Sequence, residues 1–478
     1  MPGSRSFALI STLVAAQFVV MLDTSVLNVA LPSIAATLGL TAVGTAWVLN
    51  AYYLAFGGLL LVSGRAADVF GRRRLFLAGA TTLVAGSVLG GCATTETILV
   101  IARLIQGAGA AMLSPAAMSI ILARFAGAER ARTMSWWGAA STAGGAAGVT
   151  VGGVLTAGFG WQSVMFVTAA AAAAVGVAGW FLLSADAGGT RRRFDALGAA
   201  LLTATAVAIV YGVLSAASYG PASPGLVLAG AVAVVGGFGV VLVERRAVDP
   251  VLPPSALREP RVAGGIVVNM LGGAARIACF VLVALLIQQV LLFDPAAAGL
   301  AMLPTSLAGF LVSTLLLPRL LARLGPEWVT ILGLALLVLA HVLFAAVDTG
   351  SHYAWRVLPA LLVAATGVAF SFTPTTLVIA DGMAARNAGV SSGLASSTAQ
   401  IGGAIGIAVF GAVDAMRRAA AIEAGAGALA AAEAGSSGAH LAAAACAALA
   451  IVVAAATFPR VRRVFTPGRT AADATDGG

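Results

Sequence analysis

The segment MLDTSVLNVALP at residues 21–32 places one acid, Asp23, in an apolar stretch, and residues 7–20 before it carry no charge. A second apolar stretch carries one base, Arg103, and a third carries Arg276. A charged side chain at the bilayer centre costs roughly 2.5–3.5 kcal/mol on insertion scales, so such groups need a partner or a wet cavity and point to function. An acid and a base that meet there can hold and release a proton. Burial favours the neutral acid, a nearby guanidinium favours the carboxylate, and a change in their spacing moves the proton. At 1.5 Å per residue, Asp23 lies roughly 10 Å and Arg103 roughly 8 Å from the same end of their segments, so the two are expected to meet at one depth as the proton-coupling pair. A purely structural ion pair is the plainer alternative.

Around this pair the sequence offers polar side chains for a cavity. Gln17, Thr24 and Asn28 fall within about 40° of one another on a helix, with Asp23 at the edge of their stripe. Asn50, Gln106, Asn269, Arg276, Gln288, Gln289 and Gln400 are further candidates, each of which could equally make a helix-to-helix hydrogen bond. Arg276 has no evident neighbour in its own segment, so it either serves Asp23 as a second partner or faces the cavity. With all three ionised, the deep charges sum to plus one, a sign that favours neutral, zwitterionic or anionic compounds. His341, alone in its segment, reads as a packed neutral residue, with a proton relay as the alternative.

Composition identifies the elements that must hold these residues. The 478-residue chain is 60% hydrophobic and 9% charged, against about 25% charged in a soluble protein, so it lacks the polar surface to face water on all sides. Apolar runs of about 20 residues recur along it, as in a polytopic helical membrane protein. We place fourteen spans near 7–30, 44–63, 75–93, 98–122, 133–157, 163–183, 195–217, 225–243, 262–292, 297–317, 328–347, 356–380, 389–413 and 438–458. Cys92, Cys279 and Cys446 fall in separate apolar runs and suggest neither a disulfide framework nor a metal site. The run after Pro2 is too long for a cleavable signal core.

All 27 basic residues are arginines. With the N-terminus taken as cytoplasmic, 22 fall on that side, three on the other (Arg356, Arg417 and Arg418) and two, Arg103 and Arg276, within spans. This asymmetry follows the positive-inside rule, with an even number of spans and both termini in the cytoplasm. The positive charge thus sets topology rather than binding nucleic acid. A weak internal repeat is also present: GRAADVFGRRR at 64–74 and PRLLARLGPEW at 318–328 each read as a loop with glycine at the eighth position, Gly71 and Gly325. Repeated halves with a site between them near the midplane are typical of secondary transporters. The low-complexity stretch 418–437 reads as an external loop.

Several stretches together resemble the major facilitator superfamily, and within it the fourteen-span drug:proton antiporter branch. LDTSVLNVALP at 22–32 is similar to that branch's first-span signature, with Ser25 and Leu27 as departures. GRAADVFGRRR resembles the loop-two motif, RLIQGAGAA at 103–111 the fourth-span motif, and QQVLLFDPAAAGLAMLP at 288–304 the region between spans nine and ten. GVTVGG at 148–153 is similar to the antiporter motif, with Val149 where proline is usual. The resemblance implies an all-α fold of 14 transmembrane helices: a six-helix bundle over 1–190, inserted helices 7–8 over 191–245, and a second six-helix bundle with a cytoplasmic tail over 246–478. It also implies a cytoplasmic gate of Gly64, Asp68, Gly71 and Arg72, in which Asp68 meets the start of span thirteen near Ala388 and Gly389. Gly144, Gly148 and Gly152, with Gly153 beside them, leave a bare face on span five for close approach of a neighbouring helix.

The expected protein is therefore not an enzyme but a monomeric, multi-pass exporter in the cell membrane. It would exchange protons for a small amphipathic drug, antibiotic or related metabolite by alternating access, with the proton gradient as driver and no metal or other cofactor. An uncoupled facilitator or proton symporter on the same fold is the alternative. A non-transporting receptor or membrane enzyme is more remote, because no cluster of catalytic groups gathers at one interface.

Overall fold

Hydrocarbon offers no partner to backbone N–H and C=O groups, so a chain this apolar must close its hydrogen bonds within helices. Every regular element among the described residues is helical. The computed structural model describes residues 4–184, 195–219, 224–246, 258–293, 295–383 and 387–458. The helices are α1 (Ser4–Leu38), α2 (Ala42–Phe70), α3 (Arg72–Gly91), α4 (Glu96–Arg124), α5 (Gly127–Phe159), α6 (Gln162–Leu182), α7 (Ala196–Tyr219), α8 (Pro224–Arg246) and α9 (Pro260–Gln289). Next, Pro295–Leu311 passes through a π-helical turn, Val312–Leu316, into Leu317–Ala345. That run breaks at Gly325 (φ 79°, ψ 163°), so residues 295–324 form α10 and 326–345 form α11. A π-helical turn, Tyr353–Val357, opens α12 (Leu358–Asp381), followed by α13 (Ala388–Glu423) and α14 (Ala428–Thr457).

Ten stretches among the described residues are long and apolar enough to cross a membrane, and one of them, Ala297–Ala345, holds both α10 and α11 in 49 residues. The described residues of α7 and α8 include the apolar stretches Leu197–Ile209 and Pro224–Val240. The chain is a multi-pass integral membrane protein. Val234, Val235 and Phe238 of α8 and Phe181 of α6 are among its exposed apolar side chains.

Two expectations about loops need correction. The repeated segments around Gly71 and Gly325 are not loops. Each glycine is a single-residue break between consecutive helices, at φ 102° and φ 79°, backbone that residues with a Cβ rarely adopt. Residues 418–437 are not an open loop either: α13 runs to Glu423 and α14 starts at Ala428, leaving a short turn. Alanine, the best helix former, prolongs both helices beyond the spans expected from hydropathy.

Packing divides along the repeat. Among the first six helices, α1 lies on α5, α2 on α4, and α3 on α4 and α6. Among the last six, α9 lies on α13 and α14, and α11 on α12 and α14. The two sets meet where α2 and α4 touch α13 and where α5 touches α10 and α12. Helix α7 pairs with α8 and leans on α2 and α13, with Trp47 and Tyr211 stacked at 6.3 Å. Arg73 donates to the Trp180 carbonyl and Arg124 to Ser184, which gathers the start of α3 and the ends of α4 and α6 into one arginine-rich end of the molecule.

Candidate functional site

Helices α1 and α4 bring the deep acid and base together. The Nη1 atom of Arg103 donates to Asp23 Oδ2 at 3.3 Å and to Gln106 Oε1 at 2.8 Å. Gln106, one helical turn beyond Arg103, donates through Nε2 to Asp23 Oδ1 at 3.0 Å and to Ser87 Oγ of α3 at 2.9 Å. Asp23 and Arg103 are each 1% exposed, and Gln106 and Ser87 are fully buried. The guanidinium carbon of Arg103 lies 4.3 Å from the centre of the Tyr52 ring of α2, a cation–π contact strengthened by desolvation. Both carboxylate oxygens thus accept one hydrogen bond, and the arginine is held at three points. The stretch of α1 around Asp23 packs on the stripe of α5, where Gly144 abuts Phe18 and Met21, Gly148 abuts Leu22 and Ser25, and Gly152 abuts Val26. Gly153 is half-buried beside that stripe, and the Val149 side chain lies outside the described residues.

At the arginine-rich end, Asp68 of α2 faces the first turn of α13. Its Oδ1 accepts from the Gly389 amide at 2.9 Å, and its Oδ2 from the Val390 amide at 3.0 Å. Arg72 donates to Oδ1 at 3.1 Å. Free N–H groups and the positive end of the dipole make a helix start a natural carboxylate site. The approach requires small residues: a Cβ on Gly64 would collide with the backbone of Gly389 and Gly393. Gly71 ends α2 just beyond, leaving Arg72 to begin α3.

The other cavity candidates separate. Gln17 accepts from Ser114 at 2.7 Å and donates to Ser141 at 2.9 Å, so it ties α1 to α4 and α5 instead of lining an open wall. The Thr24 hydroxyl turns back to the Met21 carbonyl, and the Asn28 side chain lies outside the described residues. Asn50 and Gln400 are half-buried. Gln288 and Gln289 are exposed at the end of α9, where Gln289 accepts from Arg418 of α13.

Arg276 is 3% exposed, and its contacts correct the expectation that it has no neighbour in its own span. Its Nη2 donates to Asn269 Oδ1 at 2.9 Å and to the Asn269 carbonyl at 3.3 Å. Seven residues return to the same helix face, so this pairing was open to sequence counting. Asn269 in turn donates to the Ala395 carbonyl and to Thr398 Oγ1 of α13. The guanidinium carbon also lies 5.5 Å from the ring centre of Phe372, which stacks on Trp137 of α5 across the two sets of helices. Arg276 Nη1 has no hydrogen-bond partner among the described residues.

Sequence reasoning missed several participants. Tyr52 and Ser87 complete the deep cluster, but each reads as an ordinary residue in an apolar run. A second charged contact joins the two sets of helices at the arginine-rich end: Arg130 of α5 pairs with Asp381 of α12. Arg261 of α9 pairs with Glu327 of α11 and lies 3.9 Å from Asp381. The signal was available, because a lone acid ending an apolar span is conspicuous in a chain with so few charges. Among the described residues no group of three or more metal-ligating side chains gathers.

Comparison with known proteins agrees with this architecture. Residues 13–407 match the family model of the Major Facilitator Superfamily. The cephamycin export protein CmcT of Amycolatopsis lactamdurans is 35% identical over 403 residues, covering 82% of each chain. The puromycin resistance protein pur8 of Streptomyces alboniger is 34% identical over 417 residues, covering 86% of this chain and 82% of its own. Among solved structures, the human organic anion transporter MFSD10 superimposes with a TM-score of 0.66 at 15% identity, over 95% of this chain and 100% of that one. The chain therefore belongs to the Major Facilitator Superfamily, and it is a membrane transporter rather than an enzyme.

Proposed function

We propose that this chain is a fourteen-span, proton-coupled exporter of small amphipathic antibiotics that works by alternating access. The observation that carries the reading is the buried Asp23–Arg103–Gln106 triangle. A proton on Asp23 Oδ2 would face the Arg103 N–H, donor against donor, so protonation breaks the ion pair. Gln106 can stay on Oδ1 and still hold Arg103 through its Oε1. The proton thus switches one contact while the base stays placed, which suits a carrier that must load and unload without losing its partner.

Residues 1–190 and 246–478 form the two six-helix bundles, and the α7–α8 pair within 191–245 is the inserted hairpin. The arginine-rich end faces the cytoplasm with both termini. Asp68 on α13 and Arg130 on Asp381 are then two latches that close that side and leave the cavity to open outward. Release of both lets the bundles rock, and the substrate, the proton and the surrounding bilayer are the only partners required. The deep charges, Asp23 against Arg103 and Arg276, sum to plus one and favour neutral, zwitterionic or anionic compounds over dications.

Relatives named for cephamycin export, puromycin resistance and lincomycin resistance support an antibiotic as cargo. The test is growth inhibition by cephamycin, puromycin, lincomycin and a dicationic dye in a strain stripped of its own exporters. Expression should raise the inhibitory concentration of at least one of the three antibiotics but not of the dye, and Asp23→Asn should remove the effect. Protection against the dye that survives Arg276→Ala would overturn the assignment of cargo sign.

A further inference from the structure

The repeat carries more than the two helix breaks. Gly71 and Gly325 differ by 254 positions, and so do Gly79 and Gly333, Leu83 and Leu337, and Ser87 and His341. The correspondence is spatial as well. A Cβ on Gly109 of α4 would meet the Leu83 backbone and the Gly79 carbonyl, and one on Gly367 of α12 would meet the Leu337 amide and the Gly333 carbonyl. That pairing sets Leu361 and Ala364 where the first half has Arg103 and Gln106. Both line a small void shared with Cys279, Phe280 and Thr305. The second half therefore lacks the guanidinium and the amide of the deep cluster. In the place of Ser87 it carries an imidazole.

His341 is fully buried and turns to His440 of α14, also fully buried, with their Nδ1 atoms 3.0 Å apart. His341 Nε2 lies 3.3 Å from the Ala275 carbonyl of α9, so it is the protonated nitrogen of that ring. In a neutral pair His341 Nδ1 must then accept and His440 Nδ1 must donate, which leaves His440 Nε2 as a bare acceptor. That atom is buried and has no partner among the described residues. An unsatisfied buried acceptor is destabilising, a cost that two apolar side chains would avoid.

We propose that the His341–His440 pair is a second proton-binding site, the second-half counterpart of the Asp23 cluster, and that it takes up one proton at His440 Nε2. Two imidazolium ions in contact would repel strongly in a dry interior, which limits the pair to one. His341 lies four residues from the end of α11 opposite the arginine-rich end, roughly 6 Å deep at 1.5 Å per residue, so the loading route is short. The charged and titratable groups packed nearby are accounted for. Arg276 follows Ala275 but turns to Asn269, and Cys446 donates to the Leu271 carbonyl. Glu433 accepts from the Thr349 amide, while Asp414 and Arg417 of α13 lie against Gly435 and Gly438 of α14.

The proposal goes beyond Asp23 as carrier and is tested without transport. The chain has three histidines, and His352 is exposed, so nitrogen NMR of histidine-labelled protein in lipid nanodiscs should resolve two buried rings against one exposed reference. The expected spectrum at high pH shows one Nε2–H and one Nδ1–H tautomer, with a single proton taken up at His440 Nε2 as the pH is lowered to the limit at which the protein stays folded. Asp23→Asn should leave that titration in place, so failure of the Asp23 reading does not obscure this one. His440→Phe keeps the ring volume and should take up one proton fewer over the same range. Two rings that stay neutral throughout, or an unchanged proton count in His440→Phe, would show a purely structural pair and overturn the proposal.

Discussion

At the scale of single residues, the deep cluster sets unequal values on its members. Removing one partner of a buried ion pair leaves an uncompensated charge and costs about 3–5 kcal/mol, whereas removing both charges together can be nearly neutral. Arg103→Ala should therefore lower the thermal midpoint sharply, and Asp23→Asn combined with Arg103→Gln should recover most of the loss, as read by melting in detergent. Gln106→Leu strips a donor from Asp23, an acceptor from Arg103 and the partner of Ser87, so it should cost about 1–3 kcal/mol although no charge changes. If Gln106→Leu melts like the unmodified protein, the triangle is not the unit described here. Asp23, Arg103 and Gln106 were legible in the sequence because polar groups in apolar runs stand out. Tyr52 and Ser87 were not: a tyrosine and a serine are common in spans, and only the register between helices reveals what they touch.

At the scale of elements, the contact of α2 with α13 depends on backbones that approach without side chains between them. Gly389→Val would drive a branched side chain into Gly64 and Asp68 and should hold the arginine-rich end open. The fully buried Ser392, which donates to the Pro115 carbonyl, is a suitable reporter. Ser392→Cys in a Cys92→Ser background should react slowly with a maleimide, and much faster once Gly389→Val is added. Equal rates would separate this contact from closure. The helical character of the chain and the small-residue stripes were readable as composition and spacing. The extent of α13 and α14 was not, because hydropathy marks where lipid begins but not where an alanine-rich helix ends. The Gly71 and Gly325 segments were recognised as a repeat but misread as loops, since a glycine beside arginines signals a turn as readily as a one-residue break.

At the scale of the whole molecule, the proposed orientation rests on the arginine asymmetry and the internal repeat. Labelling of single cysteines should find the α13–α14 turn at 424–427 on one side and residues 245–261 on the other; both on one side would contradict a fourteen-span arrangement. The proposed proton exchange rests on helices closed at the arginine-rich end over a buried acid. The central claim is that Asp23 carries the proton, and it is tested in vesicles that hold the purified protein and a pH-sensitive dye. With a proton gradient imposed, adding an antibiotic identified by the growth screen should move protons through the unmodified protein. Asp23→Asn, inserted to the same level, should move none, because an amide cannot titrate. Proton movement of equal size through Asp23→Asn would contradict the account.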